Sequence, residues 1–164
     1  IAQAESMTNQ APVNYWIHAN MLTLNGQKMA KSTGNNILPD AMFSGDNYIF
    51  TKAFTPSVVR FFLLQAHYRS IVDLSEDALL ASEKGFNRLQ EGMQTLKQLT
   101  SSEATSGFDF NAWETNCYAA MNDDFTSPII IAQLFDAVRF IHAVKNDTAT
   151  ISSDDQDNSY HNMH

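Results

Sequence analysis

Two lysines three positions apart stand out as residues that could do chemistry. Lys28 and Lys31 flank Met29 and Ala30, Ser32 follows directly, and the next residues are small or polar. An ammonium group on a flexible stem can follow a polyphosphate while charge moves between its oxygens, and small neighbours let the backbone approach. The spacing alone is common, however, and a solvated lysine-containing loop would look the same.

The flanking sequence predicts how this segment is positioned. The aromatic and β-branched stretch from Val13 to Leu24 favours a strand, on which Trp16 and His18 would share one face. Asn25-Gly26 is a strong signal for a tight hairpin turn, and Gln27 to Met29 can form the return strand. The small residues 30–36 then indicate a loop. The lysine pair is therefore expected just after a β-hairpin. A packed tryptophan at position 16 is at least as good a prediction as a ligand contact.

Most of the remaining chain has a helical pattern. Pro39 favours a short helix, Thr55-Pro56 is typical of a helix start, and Ser75 can cap a long helix of about 24 residues. Gly85 and Gly92 lie seven residues apart in that long helix, which predicts the close approach of a neighbouring helix.

The last third predicts two further helices. Residues 100–107 resemble a linker, residues 108–121 a shorter helix, and Ser127-Pro128 the start of the final apolar helix. Asp123-Asp124 is expected to end the preceding helix and to cap the final one, rather than to bind a metal. From residue 152 onward no core-forming pattern remains, and disorder is expected there.

Composition and charge exclude several classes of protein. Cys117 is the single cysteine among 164 residues, so neither an intrachain disulfide nor a multi-cysteine zinc site is possible within this chain, and a buried structural thiol is expected. Residues 1–99 are neutral overall, and residues 100–164 carry the whole net charge of −8, which disfavours nonspecific nucleic-acid binding. We expect no membrane span and no signal peptide, and an initial Ile1 suggests a piece of a longer protein.

Six blocks in register resemble the cysteinyl-tRNA synthetase family, and residues 28–32 resemble the KMSKS motif of class I aminoacyl-tRNA synthetases. The resemblance covers about residues 1–145. The blocks are Ile1–Ser6, Asn14–His18, Lys28–Asn35, Arg60–Leu64, His67–Ser70 and Met121–Phe125.

The resemblance implies roles for the motif loop. Lys31 would contact ATP and stabilise charge as pyrophosphate leaves, Lys28 would be an auxiliary cation, and Ser32 would be a hydrogen-bond donor to phosphate. Met29 and Ala30 would complete the ATP-binding loop. Ala30 replaces the usual serine of the motif, and we expect tuning rather than loss from this change.

The resemblance also implies an architecture and an incomplete site. A mainly α fold is expected, with residues 1–35 as the β-hairpin end of a Rossmann-like catalytic domain. Residues 36–72 would form a stem-contact region, residues 73–150 an antiparallel helical bundle of the type that holds the tRNA anticodon stem, and residues 151–164 a polar tail. The HIGH-type motif and the Cys, His and Glu ligands of the family's Zn²⁺ would lie upstream. The chain alone is therefore expected neither to activate cysteine nor to bind that zinc.

The implied partners are ATP with Mg²⁺, cysteine and tRNA(Cys), in a cytoplasmic and monomeric enzyme. Candidate tRNA contacts are Lys84, Arg88 and Lys97 on the long helix, together with Arg69. An exposed arginine at a packing corner is the favoured interpretation of residues 67–70.

Two other interpretations remain open. One is an ATP-dependent ligase of the same fold that joins cysteine to a small amine, which should lack the tRNA-holding bundle. The other is a non-enzymatic helical interaction module whose lysine loop is incidental.

Overall fold

The computed structural model describes residues 2–30, 32, 34–100, 106–153 and 155. Within these residues the chain is mostly helical, with one small three-stranded sheet, as the expectation of a mainly α fold requires. The elements in chain order are α1 (Ala2–Thr8), β1 (Leu22–Leu24), β2 (Gln27–Lys28), α2 (Pro39–Ser44), α3 (Pro56–Leu64), β3 (Val72–Leu74), α4 (Glu76–Leu96), α5 (Phe110–Asn122) and α6 (Ser127–Lys145).

The predicted hairpin is present. Asn25 and Gly26 have φ angles of 51° and 75°, the left-handed conformation that a tight hairpin turn needs. Strand β1 pairs antiparallel with β2 and parallel with β3, so the sheet order is β2-β1-β3. The parallel neighbour was not predicted, because three residues between a corner and a helix carry no periodic signal of their own.

The long strand predicted from Val13 is wrong. Only Leu22–Leu24 is strand, and residues 13–21 run irregularly along the surface. Tyr15 is 88% exposed and Trp16 is 48% exposed, so the packed tryptophan is also wrong. Aromatic and β-branched residues favour a strand only where a neighbouring strand satisfies the backbone. Among the described residues no strand pairs with residues 13–21, and the last two of these residues bond to Tyr68 and Val72 without forming a strand.

Helix starts follow the predicted signals. The Thr55 side chain accepts a hydrogen bond from the Val58 amide, and Ser75 accepts one from the Ala78 amide. Helix α4 has 21 residues, slightly shorter than predicted. Its glycines do mark a close approach: a Cβ on Gly92 would lie 2.6 Å from Val138 Cγ2 of α6.

Two clusters of buried side chains form the core. The first joins the sheet, α2, α3 and the start of α4, and includes Leu24, Phe54 and Leu79. The second joins the ends of α4 and α6 to the following segment, and contains Leu96, Ile141 and Ile151. The predicted linker residues 101–105 and the tail residues 154 and 156–164 lie outside the described residues.

Among the described residues, α6 is the one helix whose length and composition would allow it to cross a membrane. Here it packs as a central helix of the bundle. Val138 lies against Gly92 of α4, and the Trp113 indole of α5 donates to the Gln133 carbonyl at 2.9 Å. Asp136 and Arg139 form an ion pair on its surface. The buried residues of α6 lie in its second half, from Ala137 to Val144, whereas Ile129 near its start is exposed.

Candidate functional site

The hairpin that precedes the lysine loop is fastened to strand β3. Asp73 accepts hydrogen bonds from the Thr23 hydroxyl at 2.6 Å and from the Gly26 amide at 2.7 Å. These two bonds, the Thr23 bond first, lower the pKa of Asp73 below its ordinary value. The Asn25 amide also donates to the Leu74 carbonyl. The parallel strand pairing brings Asp73 to the turn, and no local sequence signal could have identified it.

The loop itself is closed at its base. The Ala30 amide donates to the Asn35 carbonyl at 3.2 Å, and the Asn35 side-chain amide donates to the Lys28 carbonyl at 3.3 Å. Lys28 and Ser32 are exposed, whereas Ala30 is half-buried. Lys31 lies outside the described residues. Because these hydrogen bonds close the base of the loop, the exposed Lys28 side chain is attached to a backbone of defined conformation.

Met29, the second residue of the loop, turns inward. Its side chain packs against the first core cluster and lines an open apolar cavity of about 480 Å³. Leu22, Met42 and Val59 line the same cavity, and Arg60 is the charged residue of its wall. This packing ties the loop backbone to α2 and α3.

Tyr48 contacts the far end of the loop. Its hydroxyl donates to the Gly34 carbonyl at 2.6 Å. Sequence reasoning missed this residue, since residues 46–53 have no period and the partner is 14 positions away.

The corner after α3 meets the turn between α5 and α6. Asp124 accepts hydrogen bonds from the Tyr68 hydroxyl at 2.6 Å and the Arg69 guanidinium at 3.1 Å, and the His67 ring contacts its backbone carbonyl. The Tyr68 bond, ahead of the Arg69 contacts, lowers the pKa of Asp124, and the Asp124 bond raises that of Arg69. Asn20 donates to the Arg69 carbonyl, which links the segment before β1 to this corner.

The predicted N-capping role of Asp123-Asp124 is therefore wrong, whereas the predicted helix-end role is confirmed for Asp123, the C-cap of α5. Thr126 is the N-cap of α6, without a side-chain capping bond, and Asp124 instead pairs with Arg69. Consecutive left-handed φ angles at Asp124 and Phe125 turn the chain back toward α3. The predicted exposed arginine at the corner is Arg69, which forms an ion pair with Asp124.

The basic residues predicted to contact tRNA lie at three separate places on the structure. Lys84 and Arg88 line one cleft between α4 and α6, together with Asn87 and His142. Lys97 lines another cleft on α4, and Arg69 lies at the corner described above. Arg88 also lies over the Phe135 ring, 6.0 Å from its centroid. Glu83 and Glu91 in the first cleft make its charge mixed.

Cys117 is half-buried in α5, beside a small apolar cavity between α5 and α6. Burial, and then the neighbouring Glu114, raise the pKa of its thiol. In the part of the chain that the structure describes, no three His, Cys, Asp or Glu residues come close enough together to hold a metal.

Comparison with known proteins shows which protein family this chain matches and which relatives it resembles. Residues 1–84 match the family model described as the tRNA synthetases class I (C) catalytic domain. The relative from Bacteroides fragilis, named cysteine–tRNA ligase, is 47% identical over 155 residues, which is 94% of this chain and 31% of the relative. The cysteine–tRNA ligases of Bacteroides thetaiotaomicron and Parabacteroides distasonis are 47% and 49% identical, again over 94% of this chain and about a third of their own.

The chain thus spans about a third of the length of these curated relatives. The family match extends from α1 through the hairpin, the lysine loop and α3 into the first turns of α4. The match covers half of the sequence, and the relatives extend it through α5 and α6. This chain therefore belongs to the class I tRNA synthetase (C) family, that of the cysteine–tRNA ligases.

Proposed function

We propose that this chain supplies one part of a cysteine–tRNA ligase, namely the loop that binds the ATP phosphates and helices that hold tRNA. The observation that carries the proposal is the lysine loop itself. Its hairpin is fastened by Asp73 and its base is closed by Asn35, while the Lys28 side chain stays exposed. A preorganised cation of this kind suits charge that develops on a leaving phosphate group.

The proposed reaction has two steps. The cysteine carboxylate attacks the α-phosphate of ATP, which gives cysteinyl adenylate and releases pyrophosphate. A hydroxyl of the terminal ribose of tRNA then takes the cysteinyl group and releases AMP. Lys31, with Lys28 beside it, would stabilise charge on the leaving pyrophosphate, and Ser32 would donate its hydroxyl to a phosphate oxygen. Mg²⁺ would enter with ATP.

None of the steps proposed for this chain uses zinc. The described residues do not bring three suitable ligands together. In the proposal, the Zn²⁺ of the family lies outside this chain, and no step of the mechanism above depends on it.

The proposed division of labour follows the order of the elements. Residues 1–35 would end a Rossmann-like catalytic domain, and residues 36–72 would contact the tRNA stem. Residues 73–150 would hold the anticodon stem, and residues 151–164 would form a tail whose first residue, Ile151, is packed in the second core cluster. The packing of α6 against both α4 and α5 supports a tRNA-holding bundle over a ligase for a small amine, which would not need one. The proposed enzyme is a cytoplasmic monomer.

Substitution of the motif lysine tests the proposal. In the complete gene product, Lys31→Ala should lower cysteine-dependent ATP–pyrophosphate exchange by about a hundredfold or more, because one positioned cation is lost in the transition state. The affinity for cysteine, measured by equilibrium binding, should stay within about twofold, since an ion that acts on phosphate does not touch the amino acid. Equal losses in exchange and in cysteine binding would contradict the assigned role.

The α4 cleft gives a separate test for tRNA. The double variant Lys84→Gln, Arg88→Gln should raise KM for tRNA about tenfold, because two phosphate contacts are lost. The salt dependence of tRNA binding should become weaker for the same reason. Exchange measured without tRNA should not change. The matched control is Arg139→Gln on α6, whose guanidinium is already paired with Asp136. An unchanged KM for tRNA in the double variant would remove this cleft from the interface.

A further inference from the structure

Tyr48 is an exposed residue with a fixed hydroxyl. The residue is 83% exposed, yet its hydroxyl donates to the Gly34 carbonyl at 2.6 Å. Gly34 has a φ of 68°, so the chain turns sharply at the end of the lysine loop. The bond therefore joins a separate segment to the point where the loop leaves its turn.

The backbone that carries Tyr48 is held on both sides. The Asn47 side chain accepts from the amides of Ile49 and Phe50 at 3.0 and 2.7 Å, and donates to the Ala41 carbonyl at 2.9 Å. Phe50 is buried, and its ring meets Phe54 edge to face with centroids 5.7 Å apart. Tyr48 thus projects from a segment fixed to α2 and to the core.

The same segment is fastened to α4. The Thr51 amide donates to the Glu76 carboxylate at 3.1 Å, and the Thr51 hydroxyl bonds to the same oxygen. Lys52 forms an ion pair with Glu83 at 2.6 Å. A continuous series of contacts therefore runs from α4 through residues 47–52 to the Gly34 carbonyl.

The base of the loop has its own attachment. The Asn35 side chain bonds to the Lys28 carbonyl, and the Ala30 amide bonds to the Asn35 carbonyl. A cation that acts on a leaving phosphate lowers the barrier only while its backbone is held in place, since reorganisation during the reaction cancels the gain. Gly34 directly precedes Asn35, so the Tyr48 bond adds a second attachment beside the closed base of the loop.

We propose that Tyr48 is a positioning residue for the ATP-dependent step, and that its hydroxyl braces the lysine loop through the Gly34 carbonyl. This inference rests on the proposed function. It adds a residue from the irregular segment between α2 and α3, which no sequence motif assigns to the site. Tyr48 acts on the loop backbone and touches no substrate.

Tyr48→Phe removes the hydroxyl and keeps the ring. In the complete gene product, kcat for cysteine-dependent ATP–pyrophosphate exchange should fall about two- to tenfold, the range for one neutral hydrogen bond. KM for cysteine should stay unchanged, and the thermal unfolding midpoint should fall by no more than the few degrees that one neutral hydrogen bond accounts for. Tyr118→Phe, an exposed tyrosine of α5, is the matched control. A kcat equal to that of this control, or a fall in the midpoint much larger than one hydrogen bond accounts for, would overturn the proposal.

Amide hydrogen exchange on the 164-residue chain tests the brace without any activity. Tyr48→Phe should speed exchange at the Ala30 amide about two- to tenfold, because the loop closure that protects it loses its support. Unchanged exchange there would overturn the brace. A wild-type gene product without pyrophosphate exchange would instead refute the proposed function, and with it the catalytic consequence of the brace. The two failures are therefore distinguishable.

Discussion

Gly92 sets how closely α4 and α6 approach each other. A Cβ on this residue would lie 2.6 Å from Val138 Cγ2 and 3.0 Å from Val138 Cγ1, whereas a Cβ on Gly107 would meet nothing within 4 Å. Val138 is fully buried, so it has little room to move aside. The glycine is therefore required by packing.

Gly92→Ala should lower the free energy of unfolding by about 1–2 kcal/mol. Overpacking costs about 1–3 kcal/mol, and the better helix propensity of alanine returns up to about 1 kcal/mol. Gly107→Ala is the control and should stay within about 0.5 kcal/mol of the wild type. Urea unfolding of the 164-residue chain measures both. A stabilised Gly92→Ala variant would show that the two helices can separate without cost.

Some residues could be assigned from sequence because their roles are local. Thr55 and Ser75 bond to amides three positions on, and Asn25-Gly26 needs only its own backbone conformation. Tyr48 and Asp124 could not be assigned, since their partners lie 14 and about 55 positions away and only the packed elements bring them together.

The turn between α5 and α6 is the element whose attachment depends on charge. Helix α5 packs mainly on α6, and Asp124 joins the end of α5 to the corner formed by His67, Tyr68 and Arg69. The left-handed φ at Asp124 is unfavourable for a residue with a side chain and is offset by these contacts.

Acid should weaken this attachment. The pKa of Asp124 in the folded chain lies below its ordinary value of 3.8, mainly through the Tyr68 bond. A lowered pKa means that its stabilising contribution is present above about pH 4 and disappears as the pH falls through the folded value. From about pH 6 to about pH 2, the wild type should therefore lose more stability than Asp124→Asn does.

The control for the acid experiment is Asp123→Asn, the neighbouring carboxylate, which forms no ion pair with a described residue. Its loss of stability on acidification should match that of the wild type. Urea midpoints across the pH series measure the difference. Identical pH profiles for Asp124→Asn and Asp123→Asn would show that the corner contacts do not depend on the Asp124 charge.

At the scale of elements, the helices from Pro39 onward were predictable, whereas α1 and the extended segment were not. The stripes of α3, α4 and α6 follow from apolar spacing within one element, and their starts follow from Thr55, Ser75 and Ser127-Pro128. A strand depends on partners elsewhere in the chain, so residues 13–21 looked like a strand while β3 gave no signal.

At the scale of the whole molecule, charge is distributed unevenly. The net charge of −8 comes from residues 100–164, whereas Lys28, Lys84 and Arg88 lie in the neutral part. In the proposed function, affinity for ATP or tRNA would therefore come from these local cations and not from the overall field, and it should be sensitive to salt. The lysine loop could be proposed from sequence because its motif is contiguous, while its supports, Asp73 and Tyr48, come from distant segments.

Cysteine-dependent ATP–pyrophosphate exchange is the most direct test of the central claim, that this chain contributes the ATP loop of a cysteine–tRNA ligase. We expect exchange by the complete gene product and none by the 164-residue chain alone, which spans about a third of the length of its relatives. A complete gene product that exchanges pyrophosphate without cysteine or not at all, or an isolated chain with full exchange activity, would contradict it.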